Sequence, residues 1–458
     1  MATRSQSAGS ACGWSASRPM RLAWRGTELW LLLPLLLLVP LGFVITHVAE
    51  SQVLEPGPLG LATAYVALVL AAHLVLVLSG HRGDQLLLPL VATIGAIGIV
   101  MLNRLPGGTS LLGLNIGLAV TQVAWFGIGL IAMLAVAIGF RDDGLLRHYK
   151  YTWAAGGVAL LVFTILFGTE INGARLWIYI GPIGFQPGEF IKIVLVIFIA
   201  GYLAENRALL AGASYRIGPI SVPPLPYLLP MLAIFFGVML VVAVSNDLGT
   251  ALLFFGIFLT MLFVATGRRS YVLIGLLLFV TGSYVAYRLF AHVRLRVDVW
   301  LDPFADPSGA GYQIVHALYA FGRGGLFGDG LGRGLLPTVP GFFAIQTDFI
   351  FTAIAEELGL VGAFALLAFA VFLVFRGLRV AVLARDEFSS LLAVGLTTSI
   401  GLQTLIIVAG NAKLIPLTGI TFPFLSYGGS SILASFLIIG LLLSISHRAA
   451  AEGDQVPR

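Results

Sequence analysis

The sequence predicts an all-α, polytopic integral membrane protein with ten to twelve transmembrane helices, about twelve by our reading, and a large extracellular loop. Hydrophobic residues are 59% of the 458 and charged residues only 10%, where a soluble domain carries about 25% charged residues. Apolar runs recur at roughly 29–48, 59–78, 86–102, 118–139, 152–168, 190–204, 228–244, 248–266, 271–287, 349–375, 388–409 and 427–446, and runs of this kind suit helices crossing a hydrocarbon core of about 30 Å. The alternation expected of a membrane barrel is missing, which leaves helices as the only way to satisfy the backbone in lipid.

Residues 1–27 are rich in Ser, Ala and Arg and read as a disordered cytoplasmic N-terminus. No small-residue cleavage site follows the first apolar run, so it reads as a retained span. Residues 28–447 form one transmembrane domain that includes an extracellular loop at 289–348, and 448–458 form a cytoplasmic tail. Twelve spans place both termini on one side. Loops of that side carry Arg25, Arg82, Arg147, Lys150, Arg207, Arg268, Arg269, Arg376, Arg379, Arg385 and Arg448, and in all most of the 26 basic residues. Such a bias marks the cytoplasmic side. The formal charge of +5 therefore reports topology and gives no sign of nucleic-acid binding. Cys12 is the only cysteine, which excludes a disulfide framework and a cysteine-based metal site.

A charge within or beside a span is costly and defaults to a functional hypothesis. In chain order, the first such stretch is Asn172 to Trp177 followed by Phe185 to Lys192. Pro187 suits a first helical turn. Glu189 and Lys192 lie three apart, so they share a helical face and can pair. Either that pair is purely local, or Lys192 and Arg175 hold an anionic headgroup at the outer surface. Next, Asn246-Asp247-Leu248-Gly249-Thr250 is explained well by a tight turn with Asp247 as a helix cap.

The 289–348 segment is glycine-rich, carries Arg294 and Arg296, and ends in Gln346-Thr347-Asp348-Phe349-Ile350-Phe351. Asp348 thus stands at the mouth of a span. Thr347 or Asp348 could cap a helix starting at Phe349, or Asp348 could be a general base or ligand-orienting carboxylate. Burial would raise its pKa and the helix N-terminus would lower it. Glu356 and Glu357 follow at depth within the span, where a structural role, hydrogen-bonded to neighbouring helices, is the favoured reading. Last come Gly410 to Lys413 and Pro416 to Ser431. Their prolines and glycines forbid a plain helix, so they are non-helical backbone that lines a cavity or is buried in protein.

Acids, bases and broken helices therefore gather on the outer side. No His/Cys/Asp cluster offers a metal cage, and no Gly-x-Ser-x-Gly nucleophile elbow occurs. The stretches Gly322 to Gly325 and Gly328 to Gly332 resemble a phosphate cradle only superficially, because no Gly-Lys-Ser/Thr follows; a mobile re-entrant flap is the better reading. His316 stands alone in the loop and reads as a surface or packing residue.

From Glu28 onward the chain resembles the SEDS family of bacterial cell-envelope proteins, which includes RodA, FtsW and SpoVE. The residues that carry the resemblance are Asn172–Trp177, Gln186–Lys192, Asp247–Thr250, Tyr312–Gly334, Thr347–Glu357 and Pro416–Ser431. The stretch from His292 to Pro307 and the extra N-terminal spans look like an actinobacterial RodA-like branch. Gly188, Asn246, Gln346 and Asn411-Ala412-Lys413 depart from the family's usual residues. Gln346 replaces a common His, which removes a titratable neighbour of Asp348.

The resemblance implies a peptidoglycan glycosyltransferase that polymerises lipid II on the outer face of the cytoplasmic membrane, for cell-wall elongation or division. It implies a class B penicillin-binding protein as crosslinking partner, within the membrane complexes of elongation or division. The family's catalytic aspartate falls on Asp348, in an inverting reaction that expels undecaprenyl pyrophosphate. By location, Arg175, Lys192, Arg294, Arg296 and Lys413 are candidates to bind the pyrophosphate, with Glu189, Thr347, Glu356, Glu357 and Ser426 in support. A divalent cation, Mg or Mn, could assist, although the sequence holds no dedicated cage for one. Two alternatives remain at this point. A lipid II flippase would place important polar groups at mid-depth and on both faces. A non-catalytic scaffold of the elongation or division complex would tolerate loss of Asp348.

Overall fold

The computed structural model describes residues 24–51, 57–105, 107–111, 114–140, 142, 144–171, 174–181, 183–212, 215–217, 220–222, 225–342 and 344–453. Cys12, most of the predicted disordered N-terminus and the end of the tail lie outside the described residues. The helices in chain order are α1 Gly26–Leu32, α2 Leu35–Ser51, α3 Gly57–Leu78, α4 Leu87–Arg104, α5 Leu118–Gly139, α6 Gly144–His148, α7 Lys150–Phe167 and α8 Pro187–Gly212. They continue as α9 Leu225–Val244, α10 Leu248–Thr266, α11 Arg269–Leu289, α12 Ala291–Leu301, α13 Tyr312–Gly324, α14 Ile350–Leu383, α15 Glu387–Asn411 and α16 Gly429–Gly453.

Among the described residues, 11 helical segments are long and apolar enough to cross a membrane, one fewer than the twelve apolar runs of the sequence; the stretch Leu228–Val244 is apolar but shorter. The chain is a multi-pass membrane protein, as its composition predicts. Among the described residues, short antiparallel sheets, which the sequence reading did not anticipate, lie in three of the loops. The longest joins β1 Thr169–Ile171, β2 Ala174–Ile180 and β3 Ile183–Phe185. Strands this short carry too little alternation to stand out beside apolar spans.

The centre of the bundle is built where small residues let helices approach. Helix α5 packs along α16. A side chain at Gly129 would collide with the Phe436 ring, and one at Gly440 would crowd the Met133 carbonyl. Helix α15 packs on α14, α10 and α8. At the rim, α11 leaves Leu273, Leu277 and Val280 more than half exposed, as a lipid-facing helix should.

One supposed surface arginine is part of the core. Arg25 is 2% exposed. It donates to the carbonyls of His81, Gly83 and Asp84 at 2.9, 3.1 and 2.9 Å and pairs with buried Glu28. Glu28 meets His73 Nδ1 at 2.6 Å. The fork of donors on Arg25 thereby ties α1 to the turn before α4 and satisfies carbonyls that would otherwise be stranded.

The predicted loop 289–348 is largely ordered structure: α12, α13 and two 3-10 turns, Pro303–Ala305 and Leu336–Thr338. Its glycine-rich part is hydrogen-bonded to α14. Helix α14 has 34 residues, about 51 Å at 1.5 Å per residue, too long for a bilayer core of about 30 Å. It is broken at Gly359, with φ 68 and ψ −170. The first segment, 350–358, is almost wholly buried in protein, while the second exposes Leu360, Phe364 and Val371. Leu360 and Val361 donate to the carbonyls of Gly325 and Leu326 at 3.0 and 3.1 Å, and Asp329 and Gly330 donate to those of Glu356 and Glu357 at 3.1 and 3.0 Å. The loop thus supplies partners for the peptide groups opened by the break.

Glycine is required at this crossing. The Gly359 backbone conformation is one that other residues rarely reach, and a side chain there would strike the Gly328 and Leu326 backbone. Gly359→Ala should cost at least about 1–3 kcal/mol from the backbone alone. Thermal unfolding in detergent should show a lowered Tm; an unchanged Tm would mean that the break adapts.

Candidate functional site at the loop-bearing face

The site gathers where α12, the start of α14 and the non-helical stretch 412–428 meet. Helix α14 starts at Ile350, and its N-cap residue is Phe349, without a side-chain cap. The capping alternative for Thr347 and Asp348 is therefore not realised, and the Asp348 carboxylate is left for other work. Asp348 is half-buried. Burial pushes its pKa up to about 6, against the opposing pull of the Thr347 side chain and of Arg296. A side chain at Gly419 would lie 3.9 Å from Asp348 Oδ2, which brings the broken stretch alongside the carboxylate.

That stretch is non-helical as expected. Lys413 and Phe424 hold left-handed backbone, φ 58 and 64, while Phe422, Phe424 and Leu425 are buried beneath. Ser426 joins it to the aspartate: its hydroxyl donates to the Thr347 carbonyl at 2.6 Å and accepts the Phe422 N–H at 2.8 Å. Tyr427 N–H adds a 2.7 Å bond to the Gln346 carbonyl. Gln122 of α5 donates to the Ser426 carbonyl at 2.9 Å. The two peptides before Asp348 are thus held by the non-helical stretch.

Arg296, on α12, reaches the carbonyls of Leu417 and Thr418, each at 3.4 Å. It influences Asp348 and also Asp247. Asp247 caps α10 as predicted, accepting the Thr250 N–H at 3.0 Å. Its pKa is raised by burial, against the Thr250 bonds and Arg296, with Glu189 reinforcing the rise. Sequence reasoning treated Asp247 mainly as a cap and so missed its place beside the same arginine. A narrow cleft next to Asp247 is lined by Arg175, Gln186, Thr164 and Thr250.

The remaining predicted residues divide. Lys192 is 1% exposed and bonds Glu189 at 2.6 Å and Gln403 at 2.8 Å. It therefore holds helices together, and does not reach outward as an open cation. Gln403 continues to the Thr421 carbonyl at 2.9 Å; an amide within the apolar α15 was a signal left unread. Arg175 is exposed and pairs with Glu170 at 3.2 Å. Lys413 lies at the end of α12: its ammonium is 3.4 Å from the Leu301 carbonyl, and its own carbonyl accepts from Trp300 at 3.0 Å. Arg294 turns to the Arg288 carbonyl and the Tyr287 ring and does not converge on Asp348. Glu356 and Glu357 are buried in the segment of α14 before the break, and loop N–H groups bind them. His316 packs against Tyr312 and Phe342. Among the described residues, no three His, Cys, Asp or Glu side chains converge as a metal site would require.

A helical membrane domain with a half-buried carboxylate and a partnered arginine between its helix ends describes a class of multi-pass membrane proteins with a polar site. The family model described as cell cycle protein, FtsW/RodA/SpoVE, matches residues 84–451, and the chain belongs to that family. It is 42% identical over 403 residues to the peptidoglycan glycosyltransferase RodA of Mycobacterium tuberculosis, covering 86% of this chain and 84% of that protein. It is 36% identical over 339 residues to the stage V sporulation protein E of Bacillus subtilis, covering 71% and 86%. Among solved structures it resembles the rod shape determining protein RodA of Thermus thermophilus, with TM-score 0.56, 27% identity and coverage of 80% and 97%. It also resembles a chain from a study of how a peptidoglycan synthase complex coordinates polymerization and crosslinking, with TM-score 0.63, 28% identity and coverage of 80% and 98%.

Proposed function

We propose that this protein is a peptidoglycan glycosyltransferase that polymerises lipid II at the outer face of the bacterial cytoplasmic membrane, with Asp348 as general base. The observation that carries the reading is the uncapped, half-buried Asp348, with its carboxyl pushed to about 6 and Arg296 beside it. A base near the working pH accepts a proton most usefully. The names of its mycobacterial relatives support the activity. The similar chain from a peptidoglycan synthase complex supports a crosslinking partner, which we take to be a class B penicillin-binding protein. The charge bias supports cytoplasmic termini.

In this reaction Asp348 takes the proton of the acceptor sugar's 4-hydroxyl. The oxygen bonds to the anomeric carbon of the growing strand from the face opposite the leaving group. The bond to the pyrophosphate breaks, and its electron pair departs with undecaprenyl pyrophosphate. Asp348 then returns its proton to water. The leaving group is already a stable anion, so it calls for cations and not for a strong acid. We take Arg296 as the first candidate to provide them, with Arg175 and Lys413 as further candidates. The donor set fits no protein-built cation cage, so a divalent cation would be held chiefly by the pyrophosphate itself.

The test is glycan polymerisation from purified lipid II, with and without the crosslinking partner. Polymer should form with wild-type protein; translocation of lipid II across liposomes without polymer would favour transport instead. Because the ionised form of Asp348 is the base, kcat/KM should fall tenfold per unit as pH drops below about 6. A flat profile down to pH ~4.5 would remove Asp348 from that role.

A further inference from the structure

The Asp348 arm is anchored by a second set of charges that the reaction above does not use. Glu356 and Glu357 are 2% and 1% exposed. Glu356 accepts the N–H groups of Leu335 and Leu336, both at 2.9 Å. Glu357 accepts the N–H of Gly332 at 2.7 Å and pairs with Arg104, at the end of α4. Arg104, whose side chain is 6% exposed, also donates to the Gly334 carbonyl. Gly334 must stay bare, because a side chain would lie 2.8 Å from the Glu356 carboxylate. On the other side, Gly332 abuts Thr46 and Ala49 of α2. Residues 332–336 are therefore held between α2, α4 and the buried first segment of α14.

We propose that Arg104 and Glu357, together with Glu356, are positioning residues for the reaction: they fix the segment that leads into Asp348 and the short helix that follows it. The chain reaches Asp348 from this clamp through Phe342 and Ile345, both buried, and leaves it through buried Phe349. Beyond Asp348, residues 350–358 return to the same two glutamates. Both ends of the aspartate's arm thus end on one ionic cluster, and the place of Asp348 relative to Arg296 depends on it. None of the three touches substrate in this scheme. A misplacement of about 1 Å at a reacting group can cost about a hundredfold in rate, so a loosened clamp should act on turnover and leave binding groups intact.

This inference rests on Asp348 being the base, and the experiment separates the two claims. Polymerisation kinetics would be measured for wild type, Arg104→Lys, Arg104→Ala and Glu357→Gln, each counted by its folded fraction from size exclusion. Lysine keeps the charge but cannot reach Glu357 and the Gly334 carbonyl with one rigid fork. We expect kcat per folded molecule to fall about tenfold in Arg104→Lys and Glu357→Gln, and about a hundredfold in Arg104→Ala, with KM within twofold of wild type. A purely structural clamp would lower the folded yield yet leave kcat per folded molecule unchanged, and that result overturns the proposal. A rise in KM at constant kcat also overturns it, since that assigns Arg104 to substrate binding. If Arg104→Ala does not fold, the Lys and Gln variants decide. Failure of the wild-type protein to make polymer counts against the glycosyltransferase reading instead.

Discussion

Asp348→Asn should abolish measurable glycan polymerisation while leaving the fold and lipid II binding intact. General-base catalysis contributes about 10²–10⁴-fold to rate, or about 3–5 kcal/mol of transition-state stabilisation. Asparagine has nearly the same shape and keeps a hydrogen-bonding head, but it cannot accept the hydroxyl proton. Stability should not suffer, because the site holds the aspartate at a cost: burial raises its carboxyl to about 6, so the ionised form is disfavoured there. A neutral replacement relieves that penalty. The expected pattern is a collapse in kcat, a KM within a few-fold of wild type and an equal or raised Tm. A scaffold would show none of this in cells, and a flippase would still translocate substrate. Wild-type polymer yield from Asp348→Asn would overturn the assignment.

Much of the fold was legible because a bilayer imposes a simple rule: every peptide group must be satisfied within its own span. Twelve apolar runs could be read directly, and Asp348, Glu189, Lys192 and Asp247 stood out as polar groups in costly places. What could not be read was long-range. Nothing local to Gly359 says that α14 breaks there, because the break is stabilised by N–H and carbonyl groups from residues 325–330, some thirty positions earlier in the chain. Arg25 looked like a cytoplasmic surface charge, and only the turn at His81 to Asp84 shows why it is buried. Arg294 and Arg296 were indistinguishable in sequence. Their positions on α12 send one toward Tyr287 and the other toward the carbonyls of Leu417 and Thr418. Charge type is written in the sequence; which charges share a site depends on how the loop packs.

Lys192→Met should be the most destabilising change near the site, and it should be partly repaired by adding Glu189→Gln. Lys192 closes a polar ring across four elements. It bonds Glu189 and Gln403; Gln403 donates to the Thr421 carbonyl and hydroxyl; Thr421 meets Glu189 at 3.3 Å and Ser431 at 2.7 Å. Removing one member of a buried ion pair costs about 3–5 kcal/mol, because the other charge is left without a partner. Methionine fills similar space but leaves the Glu189 carboxylate, 11% exposed, facing an apolar group. In the double variant no buried charge is stranded, so its Tm should lie above that of Lys192→Met alone, and the two changes should couple by about 1–3 kcal/mol. Activity should fall with the single change as well: Thr421 belongs to the same stretch whose Leu417 and Thr418 carbonyls hold Arg296. Thermal unfolding of the four proteins in one detergent tests this. A double variant no more stable than Lys192→Met would mean that the lysine is held by Gln403, and that its pairing with Glu189 contributes little.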